Sequence, residues 1–176
     1  VFFVYQHSTF QSPPLEQKGE QGFRQIVPGA VKSVVHLYFS DANQSHLTAE
    51  SRNMVLPDAL VDRAKAMIYA LIKGPTNTLT RTLPKETQLQ ALYVTNDGVA
   101  YVSFNKAISD KHPGGSLSEL LSIYSIVNTL SLNLPEIKAV KVLIEGREAK
   151  TLAGHIDLQY PFHANFMMIN WVLSFD

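Results

Sequence analysis

Two apolar runs, residues 89–95 and 99–104, are separated by Asn96-Asp97-Gly98, and this arrangement constrains the chain more than any other feature. Asp-Gly supplies the positive φ values that a tight hairpin turn requires, so the two runs are expected to pair as antiparallel strands. An isolated hairpin is marginal in water and needs a covering layer. The flanking sequence offers two helices for that purpose. Asp58, following Pro57, is placed to cap a helix in which Leu60, Val61, Ala64, Met67, Ile68, Leu71 and Ile72 recur at helical spacing, and Gly74-Pro75 stops it. Downstream, Ser116 and Glu119 have capping-box spacing. Leu117, Leu120, Leu121, Tyr124, Val127 and Leu130 then trace one face of a second long helix that ends before Pro135.

Val34, Val35, Leu37, Tyr38 and Phe39 form a β-branched and aromatic run closed by the turn residues Ser40-Asp41-Ala42-Asn43, as expected of a central strand apolar on both faces. Residues 52–56 predict a second short strand and residues 139–145 another, with Glu145-Gly146-Arg147 turning the chain into residues 148–152. The order strand, helix, hairpin, helix, strand predicts an α+β fold. It is a two-layer plan with the two main helices on one face of a mixed sheet, close to a split βαβ arrangement. The domain is expected over residues 30–163, after a tail or linker at 1–29 rich in Gln, Ser, Pro and Gly, and before an apolar extension at 164–176. Val1-Phe2-Phe3-Val4-Tyr5 reads either as the end of a signal or membrane anchor or as an edge strand. Residues 166–175 are too short to span a bilayer as a helix. They read either as a segment returning to cover the core or as an exposed apolar patch through Phe166, Ile169 and Trp171.

The chain has 176 residues, 15 Lys+Arg against 15 Asp+Glu, and no cysteine. A chain of this length can bury its own core without disulfides or metal. Zero formal charge removes the electrostatic footprint that phosphate-backbone binding needs, so nucleic acid is not an expected partner. Without Cys there is no thiolate zinc site, Fe–S cluster or cysteine nucleophile. The six histidines, at 7, 36, 46, 112, 155 and 163, form no His-Glu-x-x-His helix, and there is no acidic calcium loop. No metal or cofactor is expected. Ser116 in Pro113-Gly114-Gly115-Ser116 lacks the Gly two positions on that a nucleophile elbow requires, and helix capping explains it. His155 and Asp157 would share a face of a strand and offer at most two ligands. Glu50 and Arg52 form a compact charged pair, worth about 0–1 kcal/mol if it lies on the surface.

One feature goes beyond what solubility demands. Ser118, Ser122, Ser125 and Thr129 step by four, three and four along the second helix, where a solvated face would favour Lys, Glu and Arg. Small hydroxyl residues permit close approach of another backbone, whether the domain's own sheet or a neighbouring protomer. A merely solvated Ser-rich face is the other reading.

Several phrases resemble one known family. Leu37-Tyr38-Phe39, Glu50-x-Arg52, Leu71-Ile72-Lys73-Gly74-Pro75 and Leu83-Pro84 with Thr87 are similar to the first half of the GerMN domain of sporulation and germination proteins. So are Asp97-Gly98-Val99-Ala100-Tyr101-Val102, Gly114-Gly115-Ser116, Ile126-Val127-Asn128-Thr129-Leu130 and Val142-Leu143-Ile144-Glu145-Gly146. Leu152-x-Gly154-His155-Ile156-Asp157 with Pro161-Phe162 resembles the family's end. A departure is Ser103-Phe104-Asn105, where the family pattern has an acidic residue followed by Ser. The resemblance implies an extracytoplasmic bacterial domain on a membrane-anchored or lipid-anchored protein, with a fold similar to ring-building modules of sporulation assemblies, and it supplies no catalytic residue. The leading expectation is therefore a non-enzymatic interaction or assembly module of the cell envelope, with a protein partner or a second copy. The competing expectation is a small-ligand or cell-wall-glycan binder, even a weak hydrolase, with Glu50, Arg52, His112, His155 and Asp157 converging on a cleft.

Overall fold

The computed structural model describes residues 31–170. Ten-residue strands β1 (Val31–Ser40) and β2 (Leu47–Leu56) form an antiparallel ribbon whose register runs unbroken from Val31↔Leu56 to Ser40↔Leu47. Helix α1 (Leu60–Lys73) follows, then strands β3 (Leu89–Val94) and β4 (Val99–Phe104), the short helix α2 (Ala107–Asp110), helix α3 (Ser116–Asn133) and strand β5 (Ala139–Ile144). The last three strands make a mixed sheet of order β3-β4-β5, antiparallel between β3 and β4 and parallel between β4 and β5. The α+β class is as expected. The strands divide between two sheets, and residues 52–56 prove to be the end of a long hairpin arm that starts at Leu47.

Alternation along the strands explains the core. Leu92, Val102, Phe104, Val140 and Val142 on one face of the mixed sheet, and Val35, Leu37 and Phe39 on one face of the ribbon, join a single buried cluster. Met67, Ile68 and Leu71 of α1 and Ile123, Ile126, Val127 and Leu130 of α3 fill it from the helical side. Leu83, Leu152 and Leu158 close it from the connecting loops.

Local signals fared unevenly. The 96–98 turn is present, but only Gly98 has positive φ (+90°), and Thr95 closes the loop by accepting from Gly98 N–H through its carbonyl and from Val99 N–H through its hydroxyl. Glycine is required there, since a Cβ would lie 2.7 Å from the Glu136 carbonyl oxygen. Two predicted caps are corrected. Helix α1 starts one residue later than Asp58 would cap, with Ala59 at the N-cap and no side-chain bond. Helix α3 has Gly115 at its N-cap with no side-chain bond, so Ser116 is already the first helical residue and the Glu119 N–H donates to the Gly115 carbonyl.

The hydroxyl stripe finds its backbone inside the domain. The Tyr38 N–H on β1 donates to Thr129 Oγ1 at 3.2 Å, the His36 N–H donates to Asn133 Oδ1, and Asn133 Nδ2 donates to the His36 carbonyl. Just beyond, Ser40 and Thr80 exchange backbone hydrogen bonds. The free edge of β1 is thus closed from His36 to Ser40 by side chains of α3 and by the loop at Thr80. Thr129→Val should remove an acceptor without changing volume and leave the buried Tyr38 N–H unpaired, lowering stability by roughly 1–3 kcal/mol. Denaturant titration checks this, and a loss below about 0.3 kcal/mol would contradict the assigned role.

The segment after residue 163 is tied to the same helix. Asn128 and Asn165 pair as two strand residues would, the Asn128 side chain donating to the Asn165 carbonyl and accepting from its N–H. Ile169 then enters a small cluster with Tyr38, Leu47 and Leu121, and Asn170 N–H donates to the Leu47 carbonyl. A short 3-10 turn, Phe166–Met168, lies between.

Candidate functional site

The sequence-singled residues fall into three places. The first is the C-terminus of α1. Glu50, on the inner face of β2, is buried and accepts from Arg52 Nε at 2.5 Å and from the Thr76 N–H and hydroxyl at 2.9 Å. Arg52 in turn donates to the Ala70 and Gly74 carbonyls, while its guanidinium lies 5.5 Å from the Phe39 ring centre. Arg81 donates to the Ile72 and Lys73 carbonyls. With Gly74 N–H on the Leu71 carbonyl, every carbonyl from Ala70 to Gly74 has a donor. The pair is therefore not a surface ion pair but a buried clamp on a helix end. Burial pushes the Glu50 pKa up, but the hydrogen bonds from Arg52 and Thr76 outweigh it and hold the carboxyl below its ordinary range. Gly74 has φ +92°, a conformation that L side chains rarely adopt, and a Cβ there would displace the Arg81 guanidinium from its place beside the helix end.

The second place is the N-terminal half of α3. Gly114 N–H donates to His112 Nδ1 at 3.0 Å, which leaves that nitrogen as acceptor and puts the ring proton on Nε2. His112 Nε2 then donates to Ser122 Oγ at 2.9 Å, and Ser122 passes its own proton to the Thr82 carbonyl at 2.5 Å. Thr82 donates to Ser125, which donates to the Ser122 carbonyl. A nucleophilic serine gives its proton to a histidine; here the direction is reversed. Burial lowers the His112 pKa further, which favours the neutral ring. A cleft of about 250 Å³ borders this network, lined by Ser40, Thr80, Thr82, Pro113, Ser118 and Ser122 among others.

The third place is the 153–156 loop. Glu119, fully buried, accepts the His155 N–H at 2.9 Å, His155 Nδ1 at 2.7 Å and the Ile156 N–H at 3.1 Å. Burial raises its pKa, but these bonds with that of the Ala153 N–H prevail and lower it. Asp157 lies on its own turn and accepts the Gln159 N–H. Among the described residues no hydrogen bond or ion pair joins Glu50 or Arg52 to His112, His155 or Asp157, while Glu119, bonded to His155, also acts electrostatically on His112. Nor does any group of three or more His, Asp or Glu there have the arrangement to hold a metal.

Of the proposed interaction surface, Ser122, Ser125 and Thr129 are buried against the chain itself and Ser118 is half-buried. Ile169 is core, Phe166 is half exposed, and Trp171 lies outside the described residues, as do the tail at 1–29 and the rest of residues 171–176. Sequence reasoning missed Glu119, Arg81 and Thr82. Each bonds to groups remote in sequence, so no local spacing marks the role it plays.

Fold and site together define a small two-sheet α+β domain whose polar side chains are turned onto its own backbone. The chain belongs to the Germane family, described as sporulation and spore germination, whose profile matches residues 36–150. Solved structures give the same fold. The tandem GerMN domains of the sporulation protein GerM from Bacillus subtilis are 21% identical, covering 76% of this chain and 46% of that one, with a TM-score of 0.59. The first GerMN domain of the same protein is 18% identical over 75% and 97% of the two chains, with a TM-score of 0.55. A Clostridium perfringens protein assigned to the lipoproteins is 22% identical over 78% and 89%, with a TM-score of 0.56. No curated protein sequence matches the chain.

Proposed function

We propose that this chain is a non-enzymatic interaction and assembly module of the bacterial cell envelope, working outside the cytoplasm on an anchored protein. One observation carries the reading. The buried or half-buried side chains with the chemistry for acid–base or nucleophilic work, Glu50, His112, Glu119 and Ser122, are each held in bonds to the chain's own backbone or in its network of hydroxyls, and the more exposed His155 has its Nδ1 on Glu119. A catalytic group needs a free lone pair or proton facing a substrate. Family membership supports a role in sporulation or germination, and the Clostridium perfringens lipoprotein supports an anchored setting. No helix among the described residues is long and apolar enough to cross a membrane.

A glycan-binding or weakly hydrolytic module is the competing reading, and the cleft beside Ser118 and Ser122 is where it would act. Incubation with purified peptidoglycan separates the two. Wild type and His112→Ala should release no soluble muropeptide above buffer. Release that falls in the His112→Ala protein would overturn the assembly reading.

A further inference from the structure

His112 is held in a form that a proton would undo. Its Nδ1 accepts the Gly114 N–H at 3.0 Å, and its Nε2 donates to Ser122 Oγ at 2.9 Å. Both ring nitrogens are committed, one as acceptor and one as donor. An imidazolium carries N–H on both nitrogens and accepts nothing. Protonation therefore leaves the Ser122 bond in place, since Nε2 donates in either state, and sets the new Nδ1–H against the Gly114 N–H.

What depends on that bond is the turn between α2 and α3. Helix α2 ends at Asp110, and residues 112–115 carry the chain to α3 with Gly114 and Gly115 both at positive φ, +82° and +92°. Among the described residues, the Gly114 bond to the ring is the one hydrogen bond donated by a backbone N–H of residues 113–115. Open space surrounds both glycines, where an added Cβ would meet nothing within 4 Å, and no side chain caps the start of α3. Pro113, inside this turn, forms part of the wall of the cleft beside Ser118 and Ser122. We infer that His112 is a proton-operated latch. The neutral ring fixes the 112–115 turn, and with it the Pro113 wall of the cleft, and acidification lets both go.

The neighbouring charges leave the latch set at neutral pH. Burial lowers the His112 pKa below the ordinary 6.5, outweighing the Glu119 carboxylate of α3 and the Ser118 carbonyl, which both favour the charged ring. Glu119 is itself engaged with His155 and with the His155 and Ile156 amides. On α2, Lys106 and Asp110 pair with each other at 3.3 Å, and Lys111 just beyond is exposed. Across the cleft, Arg81 is bound to the end of α1. Because the folded pKa lies below the unfolded one, the stability contributed by the neutral ring is complete above pH 6.5 and declines as pH falls from there to the folded value.

Nitrogen-15 NMR of the whole chain from about pH 8 to about pH 4 tests this. Nδ1 should pass from the chemical shift of an acceptor to that of a protonated nitrogen, and the Gly114 amide should move with the same midpoint. Across that midpoint the Gly114 protection factor should fall roughly tenfold, and its order parameter should drop from about 0.85 toward 0.6. His112→Asn is the control, because its amide oxygen offers the Gly114 N–H an acceptor that does not titrate, and the turn should then stay ordered throughout. Gly114 protection that holds constant while His112 titrates overturns the inference. So does an equal loss in His112→Asn, or a ring that stays neutral down to about pH 4. If the variant fails to fold, the wild-type titration decides, since the Nδ1 and Gly114 signals either share a midpoint or do not. None of these results touches the assembly reading, which is tested by muropeptide release.

Discussion

Replacing Arg52 with alanine is expected to lower the unfolding free energy by roughly 3–5 kcal/mol, a large share of what a single domain possesses. Three losses combine. The Glu50 carboxylate, 5% exposed, keeps its bonds to Thr76 but loses the one cation paired with it among the described residues. A buried charge without its partner is costly. The Ala70 and Gly74 carbonyls at the end of α1 lose their donors, leaving Arg81 to cap that end alone. Phe39, at the centre of the core, loses the guanidinium against its ring. Arg52→Lys should recover little, because one ammonium cannot span Glu50, Ala70 and Gly74 together. The measurement is the denaturant midpoint at pH 7. A loss below about 1 kcal/mol for the alanine variant would show that the pair behaves as an exposed ion pair instead.

That step from a charged pair of open setting to an observed clamp marks the limit of what the sequence discloses. The 96–98 turn, the α1 stripe ending at Gly74 and the apolar run of β1 were legible because each is encoded within a few residues. Glu50-x-Arg52 was legible as a pair but not as a clamp, since the carbonyls it serves lie about twenty residues away. The same holds for the stripe on α3. Small hydroxyls at Ser122, Ser125 and Thr129 signalled an approaching backbone, and the chain order left open whose backbone it was. Glu119 misled outright. Three residues after Ser116 it has capping-box spacing, yet a stronger set of donors, the consecutive N–H groups of the 153–156 loop, takes the carboxylate. Local rules fail where a side chain is shared between distant segments, and in this domain those places hold the buried carboxylates Glu50 and Glu119.

Glu119→Ala should cost a comparable amount, about 3 kcal/mol or more, because it leaves the donors of His155 and Ile156 without an acceptor and opens a void beneath α3. The damage should begin in the loop. Residues 148–162 cover the outer face of β5, with Lys141 Nζ on the Gln159 carbonyl and Leu152 and Leu158 set into the core. Glu119 is the post that holds this cover at its centre. Amide exchange at His155 and Ile156 should therefore accelerate before global unfolding does. Glu119→Gln separates charge from shape. Its oxygen replaces one acceptor, but its amide sets N–H against N–H, so about 1–3 kcal/mol should be lost. The pH dependence gives the sign. A carboxyl whose folded pKa lies below its unfolded value, about 4.3, adds stability that is fully present above that value and is lost as pH falls through the folded pKa. The gap between wild type and the Gln variant should thus be widest near neutral pH and shrink below about pH 4. Glu50 titrates in the same direction and is common to both proteins, so subtracting the two stability curves isolates Glu119. A gap that stays constant down to about pH 2 would mean that its charge holds nothing.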